Sequence, residues 1–391
     1  NWTEPMAIPL AYNLRNLRVR WRLTVATALG VALVVAVFIM VMALARGLKA
    51  TYVSTGDARN LLVLRKGSTS ESNSQLTRSE VARIRYLDGI LRDGRGDPLV
   101  SAEVIVLINI ERVGGGTANV LVRGMRPAGL ALRPQIRLVG GRMFQPGLHE
   151  CIVSRKIADR FANCRAGESF TSGATTWHVV GVFDAAKTAF ESEIWVDADE
   201  ARAAFHRDFY ASVLLRAESP AAASSLIRQM ESDRNLTVRA LPETEYYREQ
   251  TKMAGPIQFM GGFLAVVMSI GAAFSAMNTM YSAVGARTRE IGTLRVLGFR
   301  RRDIYVSFLL ESVALALLGG ALGCLFSMPL NGLATGTVSF STFAEVAFEF
   351  RITGELLMRG MLFALVMGIL GGLLPARMAA RKPVLDALRS A

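Results

Sequence analysis

Histidine and cysteine are scarce in this chain, and neither is grouped. Three of each occur among 391 residues, and His149, His178 and His206 share no spacing that a zinc site uses. No nucleophile elbow, haem-attachment pattern or zinc signature occurs. A phosphate loop of the form G-x-x-x-x-G-K-[ST] is also missing. The glycine triplet at 114–116 lies between strand-like runs and reads as a turn. These gaps speak against a catalytic centre, so the chain is expected to be no enzyme and to carry no metal or cofactor of its own.

Charge is the other absence, and it is local. No charged residue occurs from Leu23 to Ala45 or from Met253 to Ala286. The run Ile304 to Ala344 is broken only by Glu311, with Pro329 marking where its helix should end, and a fourth run covers Gly360 to Ala376. Each is near the ~20 apolar residues that span a bilayer as a helix, and none alternates as a barrel strand does. Yet the whole chain is strongly basic, with a net charge of +13 at a mean hydropathy of +0.31. Its arginines collect beside the apolar runs: Arg15, Arg18, Arg20 and Arg22 before the first; Arg287, Arg289, Arg295, Arg300, Arg301 and Arg302 between the second and third; Arg377, Arg381, Lys382 and Arg389 after the fourth. Between the third and fourth runs Glu345, Glu349 and Glu355 outnumber Arg351. The positive-inside rule then puts both termini and the 285–304 loop in the cytoplasm. Nucleic acid is not the expected partner, because the basic clusters recur at membrane edges rather than on one domain. Membrane lipid is.

The expected map follows. Residues 1–22 form a cytoplasmic interfacial helix, whose Leu10, Leu14, Leu17 and Trp21 share a face. A plain basic flank that sets orientation fits the same residues. Spans occupy 23–45, 253–284, 304–330 and 356–376, with a cytoplasmic helix at 285–303, a short outer loop at 331–355 and a cytoplasmic tail at 377–391. Residues 46–252 read as a large extracytoplasmic α/β domain, because short apolar runs such as 101–110 and 177–183 alternate with helical patterns. Residues 241–253 look like a stalk that feeds the second span. The fold class is thus a four-helix membrane protein with an α/β domain inserted between helices one and two. Outside the membrane a Cys151–Cys164 disulfide is permitted. The plainer reading makes Cys151 an apolar strand residue and Cys164 a loop thiol.

Small residues recur four apart in the later spans: Gly271 and Ser275, Gly319 and Gly323, Gly368 and Gly372. Such positions let helix backbones approach in lipid, although glycine is common in membrane helices generally. Glu311 is the intramembrane acid. About two turns from Asp303, it lies within reach of the inner interface and a basic partner, and structural pairing is favoured over a proton relay.

The loop 285–304 reads as a short amphipathic helix. Ile291, Leu294 and Leu297 share one face, Arg287, Arg289, Glu290 and Arg295 decorate the rest, and Gly298 is placed to end it. Its "MNTMYSAVGARTREIGTLRVLGFRRRDI" (277–304) resembles the signature region of FtsX-like, MacB-type (type VII) ABC-transporter permeases. "FLLESVALALLGGALG" (308–323) is similar to the following span of that family. "LVGGRMFQPGLHECIVSRKIADRF" (138–161) resembles its periplasmic core, and the C-terminal Pro383, Ala387, Leu388 and Arg389 its closing pattern. Val296 departs from the family's usual alanine.

The resemblance implies a permease of the bacterial cytoplasmic membrane, working as two copies with an ABC ATPase that docks on Arg287 to Arg300. ATP and magnesium would sit on that ATPase, which is expected on a separate subunit. Closure of the ATPases would move spans and stalk and expel a substrate from outside the membrane, with a periplasmic adaptor and an outer-membrane tunnel as further partners. Extraction of a lipoprotein, or mechanical activation of a cell-wall hydrolase, are the alternatives.

Overall fold

The computed structural model describes residues 21–252, 255–338 and 342–382. The expected interfacial helix, apart from Trp21 and Arg22, and the family-like positions Pro383, Ala387, Leu388 and Arg389 lie outside these. Among the described residues, four helices are long and apolar enough to cross a membrane: Trp21–Val53, Phe259–Ala286, Arg301–Leu330 and Gly354–Arg381. The first runs past Ala45, where apolar residues give way to charge but nothing breaks the helix. The third loses regular α geometry at Ser327, and Met328–Leu330 forms a 3-10 turn around Pro329, which has no N–H to continue the ladder. Contacts divide the chain into two units: one takes the chain up to Arg46, Pro256–Leu333 and the chain from Phe350 onward, the other Gly47–Gly255 with Ala334–Glu349.

In the membrane unit, Val35, Ile39 and Ala43 of the first helix pack with Leu356, Ala364 and Met367 of the fourth. Glycines make the closest approaches. A Cβ on Gly319 or Gly323 would lie 2.7 Å from the carbonyl oxygen of Ala28 or Ala32 in the first helix. On Gly368 or Gly372 it would lie 2.6 Å from the Cβ of Ala316 or 2.5 Å from that of Ser312 in the third. Ser312 also donates a 2.8 Å hydrogen bond to the Gly368 carbonyl. Gly271 and Ser275 correct the expected pattern. A Cβ on Gly271 meets nothing within 4 Å and Ser275 is exposed, because the second span turns that face away from the other helices.

The outer unit is built on β1 Asn60–Arg65, β2 Val100–Glu111, β3 Thr117–Met125, β4 Arg137–Gly141, β5 Glu150–Ser154, β6 Ser169–Ser172, β7 Thr175–Asp184, β8 Glu193–Asp197, β9 Ser212–Arg216 and β10 Val238–Pro242. They form one mixed sheet in the order β10-β1-β9-β2-β3-β8-β5-β7-β4, with β6 paired to β7. Strand β2 joins its two halves: residues 100–103 pair with β9 and residues 104–111 with β3. Cys151 and Cys164 are free thiols buried in the apolar core, so the permitted bridge is not made. The plainer reading holds: Cys151 is an apolar residue of β5 and Cys164 a thiol in the loop before β6, buried all the same, and burial pushes it up to about 12.

The acidic loop at 331–355 also departs from expectation. It folds as a hairpin of β11 Ala334–Val338 and β12 Glu345–Glu349 and belongs to the outer unit. Its charges explain this. Glu345 is held by Arg112 and Arg160, and Glu349 receives Lys187 Nζ at 2.8 Å, which keeps its carboxyl below the usual range. Ala344, Val346 and Phe348 are buried, and Gly47 allows the Glu349 carbonyl to press onto the end of the first helix.

A buried ion cluster lies at the centre of the sheet. Arg123 on β3 uses all five of its N–H donors: two on Glu71, two on Glu193 and one on Glu103, at 2.7–3.1 Å. Arg133 makes two further bonds to Glu103, at 2.6 and 2.7 Å. Burial pushes Glu103 up, but Arg133 and Arg123 outweigh it and hold the carboxyl below its ordinary value.

Two predictions follow from this packing. Gly323→Leu should lower the unfolding temperature of the purified chain, whereas Gly271→Leu should leave it unchanged; equal effects would contradict the packing described. Arg123→Met should cost about 3–5 kcal/mol, because it strands buried carboxylates. The pH dependence has a definite sign. Glu103 and Glu349 lie below their unfolded values, so the stability they add is present above that range and is lost as pH falls through their folded values. Denaturant titrations between about pH 7 and about pH 3 should show that acid limb.

Candidate ATPase-coupling site

The cytoplasmic-loop candidate is the helix Thr288–Val296. Its end is made by a Schellman motif: the Phe299 N–H donates to the Leu294 carbonyl at 3.1 Å and the Gly298 N–H to the Arg295 carbonyl at 3.3 Å. This needs a left-handed residue, and Gly298 supplies it at φ +97°. The Arg300 N–H then donates to Asp303 at 2.7 Å and opens the third span.

Arg287 stands at the start of this helix and points inward. It is 5% exposed, donates to Glu311 at 2.8 Å and to Glu290 at 3.3 Å, and lies over the Phe308 ring at 5.1 Å. A carboxylate alone in lipid is costly, and a guanidinium against it with an aromatic face beneath is the arrangement that offsets this cost. Thr288 accepts a 2.7 Å bond from Lys382, past the end of the fourth span.

The expected apolar docking face must be revised. Ile291 is 2% exposed and packs with Met280, Val284, Ile304 and Phe308, so it anchors the helix to its own chain. Leu294 is half-buried, and Arg287 is likewise unavailable to an outside partner. The reason is periodicity: a helix lying on a bundle turns its i and i+4 positions, Arg287 and Ile291, to the same side. The apolar residues left outward are Val296, 63% exposed, and Leu297, 62% exposed. Arg289, Glu290, Gly298 and Arg300 are exposed beside them, while Arg295 is half-buried and donates to the Phe299 carbonyl at 3.3 Å.

Sequence reading missed the Arg287–Glu311 contact by name and the role of Val296. The first was recoverable, since the lone intramembrane acid and the arginine ending the second apolar run must both find opposite charge.

Comparison with known proteins now bears on the chain. Residues 24–233 match the family model of the MacB-like periplasmic core domain, and residues 262–384 that of the FtsX-like permease C-terminal region. The chain belongs to the MacB-type, FtsX-like permease family. A macrolide export ATP-binding/permease protein MacB from Rhodopseudomonas palustris is 26% identical over 79% of this chain and 47% of its own length. MacB from Hahella chejuensis is 28% identical over 57% of this chain and 34% of its own length. The uncharacterized ABC transporter permease YknZ of Bacillus subtilis is 34% identical over 33% of this chain and 30% of its own length. The chain thus spans about a third to a half of the length of these three relatives. Among solved structures, the periplasmic region of MacB from Actinobacillus actinomycetemcomitans aligns at 11% identity with a TM-score of 0.39, covering 50% of this chain and 94% of that one. This MacB-type permease is an ABC-transporter membrane component with a large MacB-like periplasmic core domain.

The inward geometry of the site is open to test. Glu311→Ala should cost about 3–5 kcal/mol by leaving Arg287 buried and unpaired, whereas Arg287→Met with Glu311→Leu should lie much closer to wild type. Unfolding of the detergent-purified chain measures both, and a double variant as damaged as Glu311→Ala would refute the pairing as the source of the loss.

Proposed function

We propose that the permease couples ATP binding by an ABC ATPase, held outside these 391 residues, to a conformational change of the outer domain that expels a substrate. One observation carries the reading: a capped helix fastened to the spans by Arg287 and Ile291 yet presenting Val296, Leu297 and Arg289 outward. A helix anchored on one side and solvent-exposed on the other is a rigid contact, and pressing on it would move the spans to which it is fixed.

With the loop cytoplasmic, by its arginines, the partner surface is an ATPase groove that takes Val296 and Leu297, with Arg289 and Arg300 setting the pose. ATP and magnesium belong to that partner. Two permease copies facing two ATPases would let nucleotide closure draw the spans together, and the outer domain would follow as a two-state element. Similarity to MacB supports export as the outcome.

The test is ATPase activity of the cognate ATPase, with and without the chain in nanodiscs. Leu297→Asp and Arg289→Glu should abolish permease-dependent stimulation while the permease stays folded. Ile291→Val, inside the chain, should leave stimulation within about twofold. Full stimulation by Leu297→Asp and Arg289→Glu would dismiss this helix as the coupling surface.

A further inference from the structure

Two segments of the outer unit stand next to membrane helices in sequence: residues 54–60 follow the first helix, and the helix Glu243–Lys252 precedes the second span. They are joined to each other. The antiparallel ladder of β1 and β10 ends at the pair Leu61 and Pro242, after which β10 gives way to the helix and backbone pairing stops. Side chains continue it. The Asp57 N–H donates to Glu243 Oε2 at 3.0 Å across 186 positions of sequence, and Asn60 Nδ2 donates to the same oxygen at 2.9 Å. The two backbones also touch: a Cβ on Gly56 would lie 2.8 Å from the Thr244 nitrogen and 2.9 Å from its Cα. Gly56 is not left-handed, so what the position demands of glycine is space.

The joint is set from behind. Arg216 on β9 donates from Nε to Asn60 Oδ1 at 2.9 Å, which orients the amide with its Nδ2 toward Glu243. A second guanidinium nitrogen of Arg216 donates to Asp57 Oδ2 at 3.2 Å and to the Leu132 carbonyl at 2.9 Å. Asn60 is wholly buried and Glu243 is 2% exposed. Burial holds the Glu243 carboxyl above its ordinary value against the pull of Arg133 and of its two N–H donors. A carboxyl group is costly to bury merely to fill space, and a turn at the end of a strand needs none. It stands on one segment while the two N–H groups it accepts stand on the other, and that placement calls for a function.

We infer that Glu243 and Gly56 form a clasp, which binds the segment leaving the first helix to the helix that enters the second span, so that neither shifts without the other. Glu243 is thus a positioning residue. Under the coupling reading the two connections would deliver one movement to the outer domain rather than two independent ones. The clasp itself stands whether or not the 288–296 helix docks an ATPase.

Reciprocity is the test. Hydrogen exchange of the full chain in nanodiscs, read by mass spectrometry, reports 54–60 and 243–252 separately, with residues 104–111 of β2, paired to β3, as a reference in the same domain. Glu243→Ala should speed exchange in 54–60 about tenfold, and Gly56→Ala should do the same in 243–252, while the reference keeps its wild-type rate. Glu243→Gln retains an acceptor oxygen and should stay within about threefold of wild type. Exchange that rises only in the segment carrying the substitution, or rises alike in the reference, would overturn the clasp. So would a Glu243→Gln chain as fast as Glu243→Ala. If Glu243→Ala fails to fold, Gly56→Ala decides alone, since an unchanged 243–252 in that variant refutes the contact.

Discussion

Glu311 must be neutralised before the membrane unit can exist, and Arg287 is what neutralises it. A carboxylate carried into the spans costs about 2.5–3.5 kcal/mol on insertion scales, and the 2.8 Å contact with a guanidinium over Phe308 answers that charge within the same chain. The consequence reaches beyond electrostatics. Because Arg287 immediately precedes the 288–296 helix, its inward reach draws the start of that helix onto the third span, and Ile291 one turn on adds the apolar contact. The far end is left projecting, closed by Gly298. Position, orientation and exposed face of this helix thus descend from one ion pair and one glycine.

Much of this architecture was legible in the sequence because the membrane constrains composition so strongly. Charge-free runs located all four spans, and the arginine clusters marked the loop between the second and third. Alternation of short apolar runs and helical patterns announced the α/β character of the outer domain. Gly298 was readable as a helix stop because left-handed geometry selects glycine. Gly319, Gly323, Gly368 and Gly372 sit where backbones come closest, as small-residue spacing suggested, but Gly271 and Ser275 carry the same spacing without the contact. Spacing along one helix specifies a face. It does not specify which neighbour covers that face.

The misreadings share this cause. Ile291, Leu294 and Leu297 lie on one stripe, yet the bundle buries the first, half-covers the second and leaves the third exposed, since a stripe seven residues long can be partly used from within. The acidic segment at 331–355 gave no strand signal of its own. Its hairpin is held by Arg112, Arg160, Lys156 and Lys187, about 150–240 positions away in sequence. The Arg123 cluster was equally hidden, for Glu71, Glu103 and Glu193 look like ordinary surface acids until β2, β3 and β8 bring them together.

The cluster also bears on how the outer domain can respond to force. A core of apolar side chains slides at little cost per small displacement, but five bonds radiating from one buried guanidinium do not stretch gradually. Each is lost over a fraction of an ångström, and losing one exposes a buried charge. The region around β2, β3 and β8 should therefore move as one body. A stiff centre is what the proposed mechanical relay would require, since a uniformly soft domain would absorb any movement imposed on it. The buried charges, costly to stability when counted alone, find their physical reason in that stiffness.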